Sequence, residues 1–254
     1  PAHLDHYKTL DAAAKDIFSL AQAVGDENIF VNNESTDAQK YLTKTYGTYD
    51  AHTVLGWKIS AVKVAVDGLS FTMKKGKNTL KLTSHLVGRH LVGPLALCAA
   101  LAHKLGLTKQ QIESGVAKTR PFEHRMQPRL VAGGWVIDDT YNGNLEGIRA
   151  GLGLLKELPA TRKIYVTPGL VDQGQETERV HREVGALIAQ AQPQKVVLMK
   201  NSVTNWIKAG LTSHNFTGEL VIEEEPLAFY TNLDQHIAVG DVVLMQNDWT
   251  DNYN

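Results

Sequence analysis

The chain of 254 residues is 43% apolar and 21% charged, a globular balance that excludes a disordered tail, a collagenous chain and a disulfide scaffold. Lys plus Arg number 26 against 27 Asp plus Glu, so the basic excess of a nucleic-acid-binding surface is absent and no nucleic-acid partner is expected. Cys98 is the only cysteine, and no apolar run reaches the roughly 20 residues of a membrane span, which together predict a cytoplasmic protein without membrane insertion.

The chain opens at Pro1 rather than Met, as a processed protein or a piece of a longer one would. After a short polar start, Leu10, Ala14, Ile17, Ala21 and Val24 recur at helical spacing, with Gly25 as the stop. Ile29-Phe30-Val31 predicts a short strand running into the polar segment 32–37. From Lys58 to Leu86 the pattern alternates. Val62, Val64 and Val66 lead to Asp67-Gly68, then Leu69, Phe71 and Met73, a turn at Lys75–Asn78, and Leu80-Lys81-Leu82, which reads as an antiparallel meander. Helices are expected over Leu95–Leu105 and near Gln110–Ala117.

Thr119 to Arg129 holds Pro121 and Pro128 among charged residues and predicts a linker or hinge. Beyond it, strand-like runs (135–137, 163–167, 195–199, 219–222, 241–245) alternate with helical ones (145–157, 178–191, 203–209). That rhythm predicts an α/β fold with a largely parallel, doubly wound sheet. Two units follow, residues 1–126 and 127–254.

The most informative stretch is Val136-Ile137-Asp138-Asp139-Thr140-Tyr141-Asn142-Gly143-Asn144. An apolar strand ends in two carboxylates, and Asn144 is a natural cap for the helix beginning at Leu145. Open α/β sheets bind ligands outside the carboxyl ends of their strands. An ordinary capping turn accounts for the same residues equally well. Arg125, upstream, could grip a phosphate by its planar fork, although a solvated linker arginine is the commoner case. His3, His6 and Asp5 match no standard zinc spacing, and Lys15 lies off the apolar stripe of its helix. Gly169–Gly174 follows a strand but fits neither the dinucleotide fingerprint nor the P-loop. Lys75-Gly76-Lys77-Asn78 lacks the earlier glycine and the Ser/Thr of a P-loop, so it reads as a hairpin turn.

In order along the chain, these residues resemble the Mur ligase family. Ala2-His3-Leu4 and Asn32/Asn33 are similar to its A-H-L and N-x-D-D, and Gly88-Arg89-His90 to its G-x-H-N-x-x-N. Glu123-His124-Arg125-Met126 followed by Asp138–Asn144 resembles G-R-[ML]…D-D-[ST]-Y-N-A-N, the pattern of the branch that adds D-alanyl-D-alanine to UDP-N-acetylmuramoyl-tripeptide. Gly169–Gly174 with Val180–Gly185 resembles its G-D-M-x-E-L-G…H-x-x-V-G. The resemblance implies a fragment: the C-terminal part of the family's central ATPase domain (1–126), then a Rossmann-like C-terminal domain (127–254), without the UDP-binding domain or the P-loop.

By the same resemblance the whole enzyme is an ATP- and Mg2+-dependent ligase of peptidoglycan precursors acting through an acyl phosphate, with UDP-linked muramoyl peptide and D-alanyl-D-alanine as partners. His3 would be a catalytic magnesium ligand, and Lys15 a carbamylated lysine presenting a carboxylate to the metal. His90, Arg125 and Asp138 would contact the nucleotide, with Tyr141 and Asn142 shaping its pocket. Two departures stand out. His90-Leu91-Val92-Gly93-Pro94 replaces H-N-x-x-N, and Met245-Gln246-Asn247-Asp248-Trp249 stands where a K-G-S-R-like segment faces the amino-acid substrate. The alternatives are a Mur-like ligase for another acid and amine, or a non-catalytic nucleotide-binding or interaction module.

Overall fold

The computed structural model describes residues 7–247, which divide into two compact units, 7–120 and 121–247. No helix among them is long and apolar enough to cross a membrane.

The first unit opens with α1 (Leu10–Phe18) and α2 (Ala21–Val24), where one helix was expected. Thr9 caps α1, and the break falls where the Ser19 hydroxyl turns back onto the Asp16 carbonyl. The anticipated stripe is largely uncovered: Ala21 is buried, but Leu10 is 41%, Ile17 68% and Val24 42% exposed. With β1 (Phe30–Asn32) the helix α1 lines an open apolar groove of about 430 Å3. The capped turn α3 (Thr36–Gln39) follows.

A six-stranded sheet runs in sequential order through β1, β2 (Gly47–Tyr49), β3 (Thr53–Val54), β4 (Trp57–Ala65), β5 (Gly68–Lys75) and β6 (Asn78–Ser84). Only the β1–β2 pair is parallel. The expected meander forms, with one irregularity between Ser60 and Lys63, where Ala61 takes a left-handed backbone. That bulge interrupts the alternation of β4. Trp57, Phe71, Met73, Leu80 and Leu82 form one core with the alanine-rich α4 (Val92–Lys104) and α5 (Lys109–Ala117).

The second unit begins at Pro121, six residues before the expected boundary, because the chain from His124 is already tied into the sheet that follows. Residues expected to be the end of a linker are β7 (Gln127–Val131), antiparallel to β8 (Gly134–Asp139) across the turn Ala132-Gly133. Pro128 is tolerated because β7 is an edge strand, where a missing N–H costs no ladder bond. The other strands, β9 (Arg162–Thr167), β10 (Lys195–Met199), β11 (Glu219–Glu223) and β12 (Asp241–Gln246), are parallel to β8 in the order β11-β10-β9-β12-β8-β7.

The connections are α6 (Leu145–Glu157), α7 (Thr177–Ala191), α8 (Thr204–Ser213) and the short α9 (Pro226–Thr231). Phe229, Leu233 and Ile237 cover the sheet face formed by Val136, Ile164, Val166, Val197, Val243 and Met245. Helices α7 and α8 cross where Gly185 meets Gly210, and a Cβ on either would sit 2.1 Å from a backbone carbonyl of the other helix. The α/β expectation of a largely parallel, doubly wound sheet holds in the second unit.

Candidate functional site

The geometry converges on the carboxyl end of β8. Asp138, 2% exposed, accepts four hydrogen bonds. Oδ2 takes the His124 Nδ1–H at 3.0 Å and an Arg129 guanidinium N–H at 3.1 Å, and Oδ1 takes the Thr140 hydroxyl at 2.7 Å and backbone N–H at 3.3 Å. These fill the roughly four lone-pair directions of a carboxylate. Burial, and then the Asp138 charge, push the nearby Tyr230 phenol well up from its ordinary pKa. Asp139 is bound by the Met126 N–H and the Gln246 side-chain amide.

Above this pair lies the turn 140–144. Arg125 places its guanidinium 4.3 Å from the centre of the Tyr141 ring and donates to Asn142 Oδ1 at 2.5 Å. The Tyr141 N–H in turn donates to the His124 carbonyl. Arg125 is therefore an exposed, pre-oriented cation whose remaining N–H groups are open to an anion. Asn144 caps α6 by accepting from the Gly147 N–H at 2.8 Å, as the sequence predicted.

Neighbouring strand ends are locked by polar contacts. The loop after β9 is held by His181, which is fully buried. Its Nδ1–H donates to the Thr177 carbonyl at 2.6 Å and its Nε2 accepts from the Leu170 N–H at 2.9 Å. Burial pushes its pKa below the ordinary value, overcoming the two backbone bonds. In the same loop Gln173 is buried with Oε1 lacking a hydrogen-bond partner. Gln246 donates to Asp139 and to the Gly147 carbonyl and accepts from the Tyr165 hydroxyl, so its amide faces inward. Asn247, at φ 78°, reaches Thr167 through its amide, and a Cβ at Gly143 would collide with its Oδ1.

Of the residues singled out from sequence, Arg125, Asp138, Tyr141 and Asn142 come together. His90 lies in the first unit, its ring packed on Gly88. Lys15 is an exposed helix residue in an ion pair with Asp11 at 2.7 Å, and the hydrogen bond to Asp11 holds its ammonium above the usual pKa. His3 lies outside the described residues. Among those residues no group of three or more His, Cys, Asp or Glu side chains could hold a metal ion. Sequence reasoning missed His124 and Arg129. The hairpin signal at Ala132-Gly133, with both residues at positive φ, would have placed Arg129 diagonally across from Asp138.

Residues 124–246 match the family model described as "Mur ligase, glutamate ligase domain". The UDP-N-acetylmuramoyl-tripeptide--D-alanyl-D-alanine ligase of Escherichia coli is 26% identical over 194 residues, covering 72% of this chain and 42% of the relative. The ligase of the same name from Synechocystis is 30% identical over 126 residues, 49% of this chain and 28% of the relative. MurF ligase from Thermotoga maritima in complex with ADP superposes with a TM-score of 0.75 at 18% identity, covering 97% of this chain and 56% of that one. MurF from Acinetobacter baumannii gives 0.74 at 16% identity, covering 97% and 54%. The chain thus spans less than half the length of those two curated relatives and little more than half of those solved structures.

Proposed function

We propose that this Mur ligase relative, which carries the family's glutamate ligase domain in residues 124–246, serves in ATP-dependent addition of D-alanyl-D-alanine to UDP-N-acetylmuramoyl-tripeptide. On this reading residues 7–120 are the C-terminal portion of the central ATPase domain, and 121–247 are the Rossmann-like C-terminal domain. The observation that carries the proposal is the cluster of Arg125, Tyr141 and Asn142 over the buried Asp138, at a strand end of a parallel sheet. Arg125 would bind a phosphate by charge and by its fork, with Tyr141 and Asn142 holding it in place. Asp138 would accept a ribose hydroxyl.

ATP supplies the phosphoryl group that activates a carboxylate, and these residues fit its anionic and hydroxyl-bearing parts. Lys15, which the resemblance assigns to the metal site, is ion-paired with Asp11, and among the described residues no group of three or more His, Cys, Asp or Glu side chains could hold a metal ion.

A second reading is favoured by one observation. Gln246, where the resemblance has a cation facing the amino-acid substrate, is neutral and turned inward, so the incoming amine could be another compound. The test joins this chain to the unmatched N-terminal half of the E. coli relative and measures phosphate release from ATP with UDP-N-acetylmuramoyl-tripeptide. Release that requires D-alanyl-D-alanine and falls on Arg125→Ala supports the proposal. Release driven equally by unrelated amino acids favours the second reading, and no release with any amine refutes both.

A further inference from the structure

The buried carboxylate of Asp138 has no lone-pair direction left for a ligand, because four protein donors already fill them. A ligand hydroxyl can bond Asp138 only if one of these leaves. The two Thr140 donors belong to the turn that shapes the site. Arg129 carries the charge that compensates a buried carboxylate, and stripping one partner from such a pair is strongly unfavourable. His124 is different. Its ring is half-exposed, its other nitrogen lies 3.8 Å from the exposed Glu123 carboxylate, and its departure leaves the Arg129–Asp138 pair intact.

The backbone at His124 adds a second observation. It stands at φ 58°, a left-handed conformation that costs a side-chain-bearing residue energy. A glycine would adopt that conformation freely and would carry no donor. The chain therefore holds an imidazole on a sparsely populated backbone conformation, and that imidazole is bonded to Asp138.

We propose that His124 is a displaceable cap on Asp138: it occupies the carboxylate oxygen that a ligand's ribose hydroxyl takes, and swings out to solvent when the ligand binds. The inference rests on the proposed nucleotide reading and adds a specificity-determining residue to it. One N–H···O bond is exchanged for one O–H···O bond on the same oxygen. The cap lowers affinity for hydroxyl-bearing ligands and leaves ligands without the hydroxyls unaffected.

The experiment is calorimetric titration of the full chain and its His124→Gly variant with ADP and with 2′,3′-dideoxy-ADP. Glycine suits the left-handed backbone, so the variant is expected to fold, which a thermal melt verifies. Releasing Asp138 from a competing donor should tighten ADP binding by about tenfold, the size of a hydrogen bond to a charged group, and leave the dideoxy ligand unchanged. ADP binding seen only in the variant also supports the cap. Wild-type binding of ADP that is unchanged or weakened in the variant overturns the inference and leaves the nucleotide reading standing. Tightening of both ligands alike overturns it too. Absence of ADP binding in both proteins overturns the nucleotide reading and the cap together.

Discussion

Replacing His181 by Phe keeps an aromatic ring in a fully buried position and removes both ring nitrogens. The Leu170 N–H then loses the acceptor it uses 2.9 Å away, and the Thr177 carbonyl loses the donor at 2.6 Å. Taking one partner from buried backbone groups costs about 1–3 kcal/mol, so the variant should be destabilised by that amount at pH 8. A second consequence concerns pH. Burial holds the folded pKa of His181 below the ordinary histidine value of about 6.5. Between those two values the unfolded chain binds more protons than the folded one, so stability is complete above the unfolded pKa and is lost as pH falls towards the folded value. The loss approaches about 1.4 kcal/mol per pH unit within that window. Hydrogen-exchange protection of the β9 and β10 amides, measured at steps from pH 8 to pH 5, reports the opening of this unit. The wild-type chain should lose more protection on acidification than His181→Phe. Equal slopes in the two proteins, or a variant as protected as wild type at pH 8, would refute the reasoning.

Three further outcomes are expected. Arg162→Met leaves the buried Asp241 without its ion-pair partner at 2.6 Å and should cost about 3 kcal/mol in urea unfolding. Although burial works against the Asp241 charge, the Arg162 pair and the Ala238 N–H hold its pKa below the ordinary value. The wild-type chain should therefore lose that stabilisation only as acid drops the pH below about 4, the unfolded value, towards the lower folded one. Residues 121–254 alone should melt cooperatively and at a higher temperature than 127–254, because the shorter piece lacks the buried Met126 and the His124 contact to Asp138; calorimetry of the two pieces decides this. Arg125→Lys keeps the charge but loses the planar fork stacked on Tyr141, so nucleotide affinity should fall about tenfold or less with the melting temperature nearly unchanged. Wild-type affinity in that variant would mark Arg125 as a solvated surface arginine.

The parts of this fold that were legible in the sequence are those whose signal is local. Alternation around Phe71 and Leu80, and strand runs followed by helix runs from Trp135 onward, reflect periods of two and 3.6 that the backbone imposes on neighbouring residues. The capping turn from Asp138 to Asn144 was readable for the same reason, with Asn144 capping the helix from Leu145. What the sequence left open depends on which distant segment comes alongside. β7 looked like linker because Pro128 and its charges suit either a loop or an edge strand, and only pairing with β8 decides between them. The stripe of α1 predicted a buried face, yet Leu10 and Ile17 are exposed because burial needs a neighbour, which periodicity does not supply. Likewise Arg129 and His124 gain their meaning from Asp138, and Gln246 turns inward because Asp139, Gly147 and Tyr165 meet it there. A side chain's chemical type is written in the chain, but its partners and its burial are set by contacts between residues far apart in sequence, and those exist only once the sheet has assembled.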